Sequence, residues 1–458
     1  MSNDTIAAIA TAPGRAGISI IRISGPEAFR TADRIFVSGN GKAGCADFAD
    51  HTIHYGWIAD NGEYLDEVLL LFMKAPKTYT CEDVIEIDCH GGPVVTERIL
   101  DTVIRHGARL AEPGEFTRRA FLNGRIDLSE AEAVMDLIDA KTRYAARSSV
   151  EQLRGGLADR IRKLREMLLH DSAEIEAALD DPEHMSLEGF SDRLSVRVAE
   201  EKKEIRALLA HGDEGRMRKE GIRTVIVGKP NAGKSSLLNV LLGEERAIVT
   251  SVPGTTRDTL EESLTIGGIC LNIVDTAGIH ETDDIVEKIG VAKAEGAAQK
   301  ADLIIYVVDG SRPMDQDDRR IIGLLENRKA IVLCSKSDLP PAVSKEEVEE
   351  ACGREVIFVS AKEERGLDDL ASKIRQMFFN GEIEENDPVS VTNLRHREAL
   401  RAADAALDQV TKSIRNGMSE EFYSVDLMQA YEELGKILGE EVGEDLIDKI
   451  FREFCMGK

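Results

Sequence analysis

The stretch Gly228–Lys229–Pro230–Asn231–Ala232–Gly233–Lys234–Ser235 constrains this chain more than any other part of it. Its spacing is G-x-x-x-x-G-K-[ST]. It follows the apolar run Val225 to Val227 and opens into Ser236–Leu237–Leu238–Asn239, which reads as a helix. The motif therefore sits in the strand–loop–helix setting that its chemistry needs. Glycines let backbone N–H groups crowd onto a phosphate chain. Lys234 supplies a point charge for the β- and γ-phosphates, and Ser235 offers a hydroxyl to Mg²⁺. The ligand class this implies is a nucleoside triphosphate, contacted by Asn231, Ala232, Gly233, Lys234, Ser235 and Ser236.

Further motifs follow in order. Asp275–Thr276–Ala277–Gly278 ends the apolar strand Cys270 to Val274. An Asp there can hold Mg²⁺ through water, and a bare glycine N–H can approach the γ-phosphate. Between the two lies Thr250–Ser251–Val252–Pro253–Gly254–Thr255–Thr256. A threonine in this loop, assigned to Thr256, can ligate Mg²⁺ only while the γ-phosphate is present, which turns hydrolysis into a conformational switch. Ser335–Lys336–Ser337–Asp338 follows the strand Ile331 to Cys334 and stands where Asn-Lys-x-Asp reads the base. Asp338 can accept from guanine N1–H and its exocyclic amine, a donor pair that adenine lacks. Lys336 can pack along the ring. Ser335 replaces the usual Asn, which removes one side-chain amide and predicts weaker affinity with guanine specificity kept. Ser360–Ala361–Lys362, after Glu355 to Val359, resembles the last nucleotide-binding loop. Strands alternating with helical segments predict a GTPase domain on a mostly parallel sheet.

The residue after Asp-x-x-Gly is Ile279, where many small GTPases carry a water-orienting Gln. Isoleucine cannot hydrogen-bond water, so other groups must act. Asn231 and carbonyls of the Thr250–Thr255 loop can surround a monovalent cation. A K⁺ there would do electrostatically what an arginine finger does elsewhere. The acidic segment Glu281 to Glu287 offers a carboxylate for the water, and Glu287 is the choice, although a charged loop is in most chains merely solvated.

The chain of 458 residues is long enough for about three domains. A net charge of -26 argues against a broad nucleic-acid-binding surface and leaves room for a local basic patch. Seven cysteines without a C-x-x-C pair indicate neither zinc nor a disulfide framework and fit a reduced, cytoplasmic setting. No signal peptide and no apolar run of membrane-spanning length is visible. Residues 1–122 show short β-like runs at Gly17–Ile23, Tyr55–Ile58, Val68–Met73 and Val84–Ile87. Residues 123–220 turn helical, with Ser129 and Glu132 as a capping box, Val134, Leu137 and Ile138 as an apolar face, and a break near Asp181–Pro182–Glu183. The GTPase domain spans 221–380. An acidic linker, Gly381 to Asp387, then leads into a second helical half, 381–458, so that the GTPase domain is inserted between halves of one bundle. The last helix carries Leu446, Ile447, Ile450, Phe451 and Phe454. Cys455–Met456–Gly457–Lys458 after it reads as a short flexible tail whose thiol could reach another site.

From end to end the chain resembles one family, the bacterial tRNA-modification GTPases MnmE, also called TrmE. The resemblance is carried by Ala12–Pro13–Gly14–Arg15, Arg22–Ile23–Ser24–Gly25, Glu82–Asp83–Val84, His90–Gly91–Gly92–Pro93, Pro113 to Thr117, Arg119 to Arg125, the GTPase motifs, and a tail similar to Phe-Cys-Ile-Gly-Lys. Met456 and Ser335 are the main departures. The resemblance implies an α/β multidomain chain: a tetrahydrofolate-binding and dimerising N-terminal domain, a helical bundle, and an inserted P-loop, Ras-like GTPase domain. It implies 5-formyl- or 5,10-methylene-tetrahydrofolate at Arg22, Glu82, Arg125 and Lys458, with Cys455 reaching toward the folate carbon. It implies Mg²⁺ on Ser235 and Thr256, K⁺ on Asn231, Thr250, Val252 and Thr255, and Glu287 as the catalytic carboxylate. It implies a homodimer that works with the FAD-carrying flavoprotein MnmG, as a heterotetramer, to build an aminomethyl or carboxymethylaminomethyl group at C5 of the wobble uridine of tRNA. The alternative is a ribosome-assembly GTPase without one-carbon chemistry, which would have no reason to carry the N-terminal motifs or the tail. A membrane-coupled GTPase lacks a span or a basic amphipathic helix.

Overall fold

The computed structural model describes residues 4–458 except 40–44, 46, 182–183, 185–187, 211, 245–261, 275–295, 297–300, 380–390, 441, 453, 456 and 458. The chain divides into two compact units. One comprises Met1–Met135, Gln152–Ser191 and Ala406–Lys458; the other comprises Asp136–Glu151 and Asp192–Ala405.

In the first unit, β1 (Ile6–Ile9), β2 (Ile18–Ser24), β3 (Phe36–Ser38), β4 (Thr52–Asp60), β5 (Glu63–Met73), β6 (Val84–His90) and β7 (Arg109–Leu110) form a sheet. Their order is β3-β4-β5-β6-β2-β1-β7. All neighbours are antiparallel except β1 and β7. Alternation sets the two faces. Ile21 and Ile23 of β2 and Ile85 and Ile87 of β6 point into a core closed by Ala28, Ala32 and Ile35 of one helix and Ile99 and Val103 of another. The opposite face carries Arg22 and Glu86, paired across β2 and β6. It also shows Ile18, Ile53, Tyr55 and Leu69 to solvent, with Ile53 63% and Tyr55 50% exposed.

The helices of this unit fall largely where expected, and the two helical halves do meet. Helix Gly156–Asp180 packs on helix Glu420–Leu438. Arg165 Nε donates to the Tyr431 carbonyl at 3.2 Å, with its guanidinium 4.0 Å over the Tyr431 ring. The expected capping box is displaced by two residues. Asp127 and Glu130 form it: Glu130 N donates to Asp127 Oδ1 at 3.0 Å and Asp127 N to Glu130 Oε2 at 2.8 Å. Ser129 lies inside helix Leu128–Ile138 and is buried. On helix Glu444–Arg452, Ile447 and Phe451, with Phe454 beyond it, bury against Ala120, Ile126, Leu128 and Ala131, whereas Leu446 faces out.

In the second unit, β8 (Ile222–Val227), β9 (Glu262–Ile266), β10 (Ile269–Ile273), β11 (Leu303–Asp309), β12 (Ala330–Ser335) and β13 (Val356–Phe358) form a sheet ordered β13-β12-β11-β8-β10-β9. Every neighbouring pair is parallel except β9 and β10. β11 and β12 are buried along their whole length, as expected of parallel strands covered on both faces. The carboxyl ends of β8, β11 and β12 lie side by side. Ligands of open α/β sheets bind at such an edge.

Candidate functional site

The loop between β8 and helix Lys234–Glu244 occupies that edge. Gly228 passes so close to β11 that a Cβ there would lie 2.4 Å from the Val307 carbonyl oxygen. Asn231 takes a left-handed φ of 60°, which asparagine tolerates better than most residues, and sits exposed at the loop's tip. Ser235 and Ser236 are exposed in the helix's first turn, while Ala232, Leu237 and Leu238 are buried. The Lys234 ammonium folds back on its own loop, donating to the Gly228 and Lys229 carbonyls, each at 2.7 Å. Burial holds its pKa below the ordinary lysine value. A half-buried cation whose partners among the described residues are neutral carbonyls favours an arriving phosphate.

The Ser335–Asp338 loop, expected to read the base, is joined to the Gly228–Ser235 loop through Ser335. This buried hydroxyl lies 2.6 Å from the Ala232 carbonyl oxygen and 3.0 Å from that of Val308, and donates its one proton to either. The serine that stands in place of Asn is thus a tether between two strands' loops. Lys336, at φ 58°, donates to Asp309 Oδ2 at 2.7 Å. Burial alone would raise the Asp309 carboxyl, but Lys336 and Ser311 hold it below its usual range. Asp338 accepts from Ser360 Oγ at 2.8 Å, and that bond keeps its carboxyl low and ionised. Ala361 is half-buried and Lys362 exposed next to it. Thr250, Ser251, Val252, Pro253, Gly254, Thr255, Thr256, Asp275, Thr276, Ala277, Gly278 and Glu287 lie outside the described residues.

Sequence reasoning missed the support behind the loop. Lys229 Nζ bonds Asp315 Oδ2 at 2.9 Å and Asp318 Oδ2 at 2.7 Å. Those two residues form the capping box of helix Gln316–Gly323. Tyr306, fully buried on β11, donates to Asp318 Oδ1 at 2.9 Å. Only the spacing Asp315-x-x-Asp318 announced any of this.

In the first unit, the segment from Tyr79 to Glu82 gathers three of the four expected folate residues. The Tyr79 ring lies 5.0 Å from the Arg22 guanidinium and 4.8 Å from that of Arg125. Arg125 Nη1 donates to the Tyr79 carbonyl at 3.0 Å, and the Tyr79 hydroxyl meets Thr117 Oγ1 at 2.9 Å. Arg22 Nε donates to Glu86 Oε1 at 2.7 Å, while its Nη1 is buried with no hydrogen-bond partner among the described residues. Glu82 accepts from Ser24 Oγ at 2.7 Å and from Arg119 Nη1 at 3.1 Å. Arg119 also binds Glu115, which Arg109 clamps in turn. Tyr79 and Arg119 had no signal in isolation.

The tail is packed where a loose one was expected. Gly114 N donates to the Cys455 carbonyl at 3.4 Å. Gly457, at φ 85°, lies so close to β1 that a Cβ would be 2.2 Å from the Ile9 carbonyl oxygen. Cys455 itself is exposed. Lys458 lies outside the described residues.

Comparison with known proteins agrees along the whole length. The family described as the GTP-binding protein TrmE N-terminus matches residues 5–125, and the MnmE helical domain matches residues 128–455. The chain is 54% identical to the tRNA modification GTPase MnmE of Lachnoclostridium phytofermentans, covering 100% of both chains. It is 47% identical to that of Geobacillus kaustophilus over 99% of each. A crystal structure of the G domain of the T. maritima FeoB iron transporter is 29% identical, covers 34% of this chain and 98% of that one, and has a TM-score of 0.26.

Removing the tether should weaken nucleotide binding. Ser335→Ala leaves the Ala232 carbonyl without its partner, a loss of about 1–3 kcal/mol. GTP affinity, followed by titration with a fluorescent analogue, is expected to fall about tenfold. Unchanged affinity would remove Ser335 from the site.

Proposed function

The chain belongs to the MnmE family of tRNA-modification GTPases, and from that premise we propose that it hydrolyses GTP in a K⁺-dependent way to drive one-carbon modification of tRNA. The observation that carries this reading is the match over the full chain, with flanking domains as well as the GTPase motifs. A ribosome-assembly factor gives no reason for the N-terminal match. The product is an aminomethyl or carboxymethylaminomethyl group at C5 of the wobble uridine, made with the FAD-bearing flavoprotein MnmG in the cytoplasm. No helix among the described residues is long and apolar enough to cross a membrane.

In this reading the working parts are 1–122 for folate and dimerisation, 123–220 and 381–458 for the helical domain, and 221–380 for GTP. Lys234, Ser235 and Ser236 receive the phosphates at a helix N-terminus. Asp338 accepts from guanine, its carboxylate already aimed by Ser360. Ser235 and Thr256 would hold Mg²⁺; Asn231, Thr250, Val252 and Thr255 would hold K⁺. Both ions supply positive charge to the phosphates. Glu287 positions the attacking water. In the first unit the unpartnered Nη1 of Arg22 and the guanidinium pair about Tyr79 suit an anionic, planar ligand such as formyl- or methylene-tetrahydrofolate. Glu82, Arg125 and Lys458 complete that set, with Cys455 directed at the folate carbon. The apolar face of Ile18, Ile53, Tyr55 and Leu69 supports the homodimer.

Two measurements test the reading. GTP turnover by the full chain should fall on the order of 10²-fold when K⁺ is replaced by Na⁺ or Glu287 by Ala, with GTP binding retained; equal turnover in both salts would overturn the cation's role. Calorimetry with 5-formyltetrahydrofolate should show binding by the full chain, weakened about tenfold or more by Arg22→Ala. No heat from the unaltered chain would remove the one-carbon half of the proposal.

A further inference from the structure

Strands β9 and β10 form the hairpin at one edge of the second sheet, and both its open ends lead to nucleotide-sensing motifs. Thr256 precedes β9 and Asp275 follows β10 by a few residues. Ser263 and Asn272 face each other across this hairpin. Ser263 Oγ donates to Asn272 Oδ1 at 2.9 Å, and Lys141 Nζ donates to Ser263 Oγ at 2.8 Å. Asn272 Nδ2 donates to the Glu220 carbonyl at 2.7 Å. The valences match at every step. An ammonium gives, a hydroxyl takes and gives, an amide takes and gives, and a carbonyl takes, so the chain of bonds has one direction and no idle polar group in it.

One end of this relay, Glu220, closes helix Gly212–Glu220; the other, Lys141, lies in the connection between the helix ending at Ile138 and the helix beginning at Arg143. The junction around them is tight. Gly221 has φ 92°, and a Cβ there would lie 3.0 Å from the Cys270 carbonyl oxygen and 3.1 Å from Asn272 Nδ2. Thr142 Oγ1 donates to the Arg218 carbonyl at 3.3 Å. Lys219 bonds Asp136 and also Thr392 Oγ1 at 3.2 Å. The Arg218 guanidinium lies 5.3 Å from the Tyr144 ring and 5.2 Å from that of Phe379. Residues 136–144 are therefore fixed to the entry and exit of the GTPase domain, and Lys141 connects them to its switch-bearing hairpin.

We infer that Asn272, with Ser263 and Lys141, is a positioning relay that carries displacement of the β9–β10 hairpin to segment 136–144, which spans the connection between the helix ending at Ile138 and the helix beginning at Arg143. Among the described residues, neither Asn272 nor Lys141 bonds to the Gly228–Ser235 loop or the Ser335–Asp338 loop. A hairpin that shifts when the γ-phosphate leaves strains the bonds that leave it, Lys141 to Ser263 and Asn272 to Glu220, and the relay passes that change to segment 136–144 and Glu220. The inference rests on reading Thr256 and Asp275 as γ-phosphate sensors.

Hydrogen exchange of the full chain, loaded with GDP or with a non-hydrolysable GTP analogue, separates the two claims. In the unaltered chain, amides of β9–β10 and of 136–144 should differ in protection between the two nucleotides by about fivefold or more. In Asn272→Ala the difference should persist in β9–β10 and disappear at 136–144, with GTP hydrolysis within about twofold of normal. Lys141→Met, a change at an exposed position, should give the same pattern and keeps the test if Asn272→Ala unfolds. A nucleotide-dependent difference that survives at 136–144 in Lys141→Met would overturn the relay. No difference in β9–β10 of the unaltered chain would overturn the sensor reading beneath it.

Discussion

A half-buried ammonium needs partners, and the position of Lys234 follows from that requirement. Its two neutral carbonyl partners come from its own loop, which curls around it as a result. The loop can curl this way because Gly228 lies against β11 where no side chain would fit. It stays in place because Lys229 is clamped by Asp315 and Asp318 and because Ser335 holds the Ala232 carbonyl. A phosphate chain would offer Lys234 full charge in exchange for two dipoles, so in the proposed reading the loop is prepared for an anion before one arrives.

The same loop shows why part of the site could be read from residues alone. Glycine spacing, a lysine and a hydroxyl state their chemistry wherever they stand, and the parallel sheet follows from apolar strands alternating with helices. Ser335 was legible as a departure, and its loss of an amide was the natural reading. Its second property, a buried hydroxyl linking two loops, depends on a neighbour about a hundred positions away and leaves no mark nearby. The Tyr306–Asp318–Lys229 chain was hidden for the same reason. In the first unit, β1 is the run Ile-Ala-Ala-Ile, too small and short to declare itself, yet it lies between β2 and β7. The capping box fell at Asp127 and Glu130 because two acidic candidates overlap with Ser129 and Glu132, and spacing alone does not choose between them.

The first unit depends on charge in a comparable way. Arg119 is buried and needs several acceptors, which Glu82, Glu115 and Asp4 provide. That arrangement fixes Glu82 between Arg119 and Ser24; nearby, the Arg22 guanidinium lies over Tyr79 with Nη1 unpartnered among the described residues. The packed tail brings Cys455 against the turn at Gly114 and Gly457 against β1, so the exposed thiol is held near one end of the sheet by backbone contacts on both sides. One unit thus offers an anion-seeking donor, the other an anion-seeking loop.

Base recognition tests the nucleotide reading most directly. Ser360 donates to Asp338 Oδ1, so that oxygen's second lone pair and both of Oδ2 would stay available to the two guanine donors of the proposed reading. In Asp338→Asn, Ser360 would retain the amide oxygen and turn the NH₂ toward the base, where it suits the C2 carbonyl of xanthine and clashes with the guanine amine. Competitive titration of both triphosphates should show GTP preferred by the unaltered chain and xanthosine triphosphate preferred by Asp338→Asn. A variant that still prefers GTP would contradict guanine recognition at this edge of the sheet.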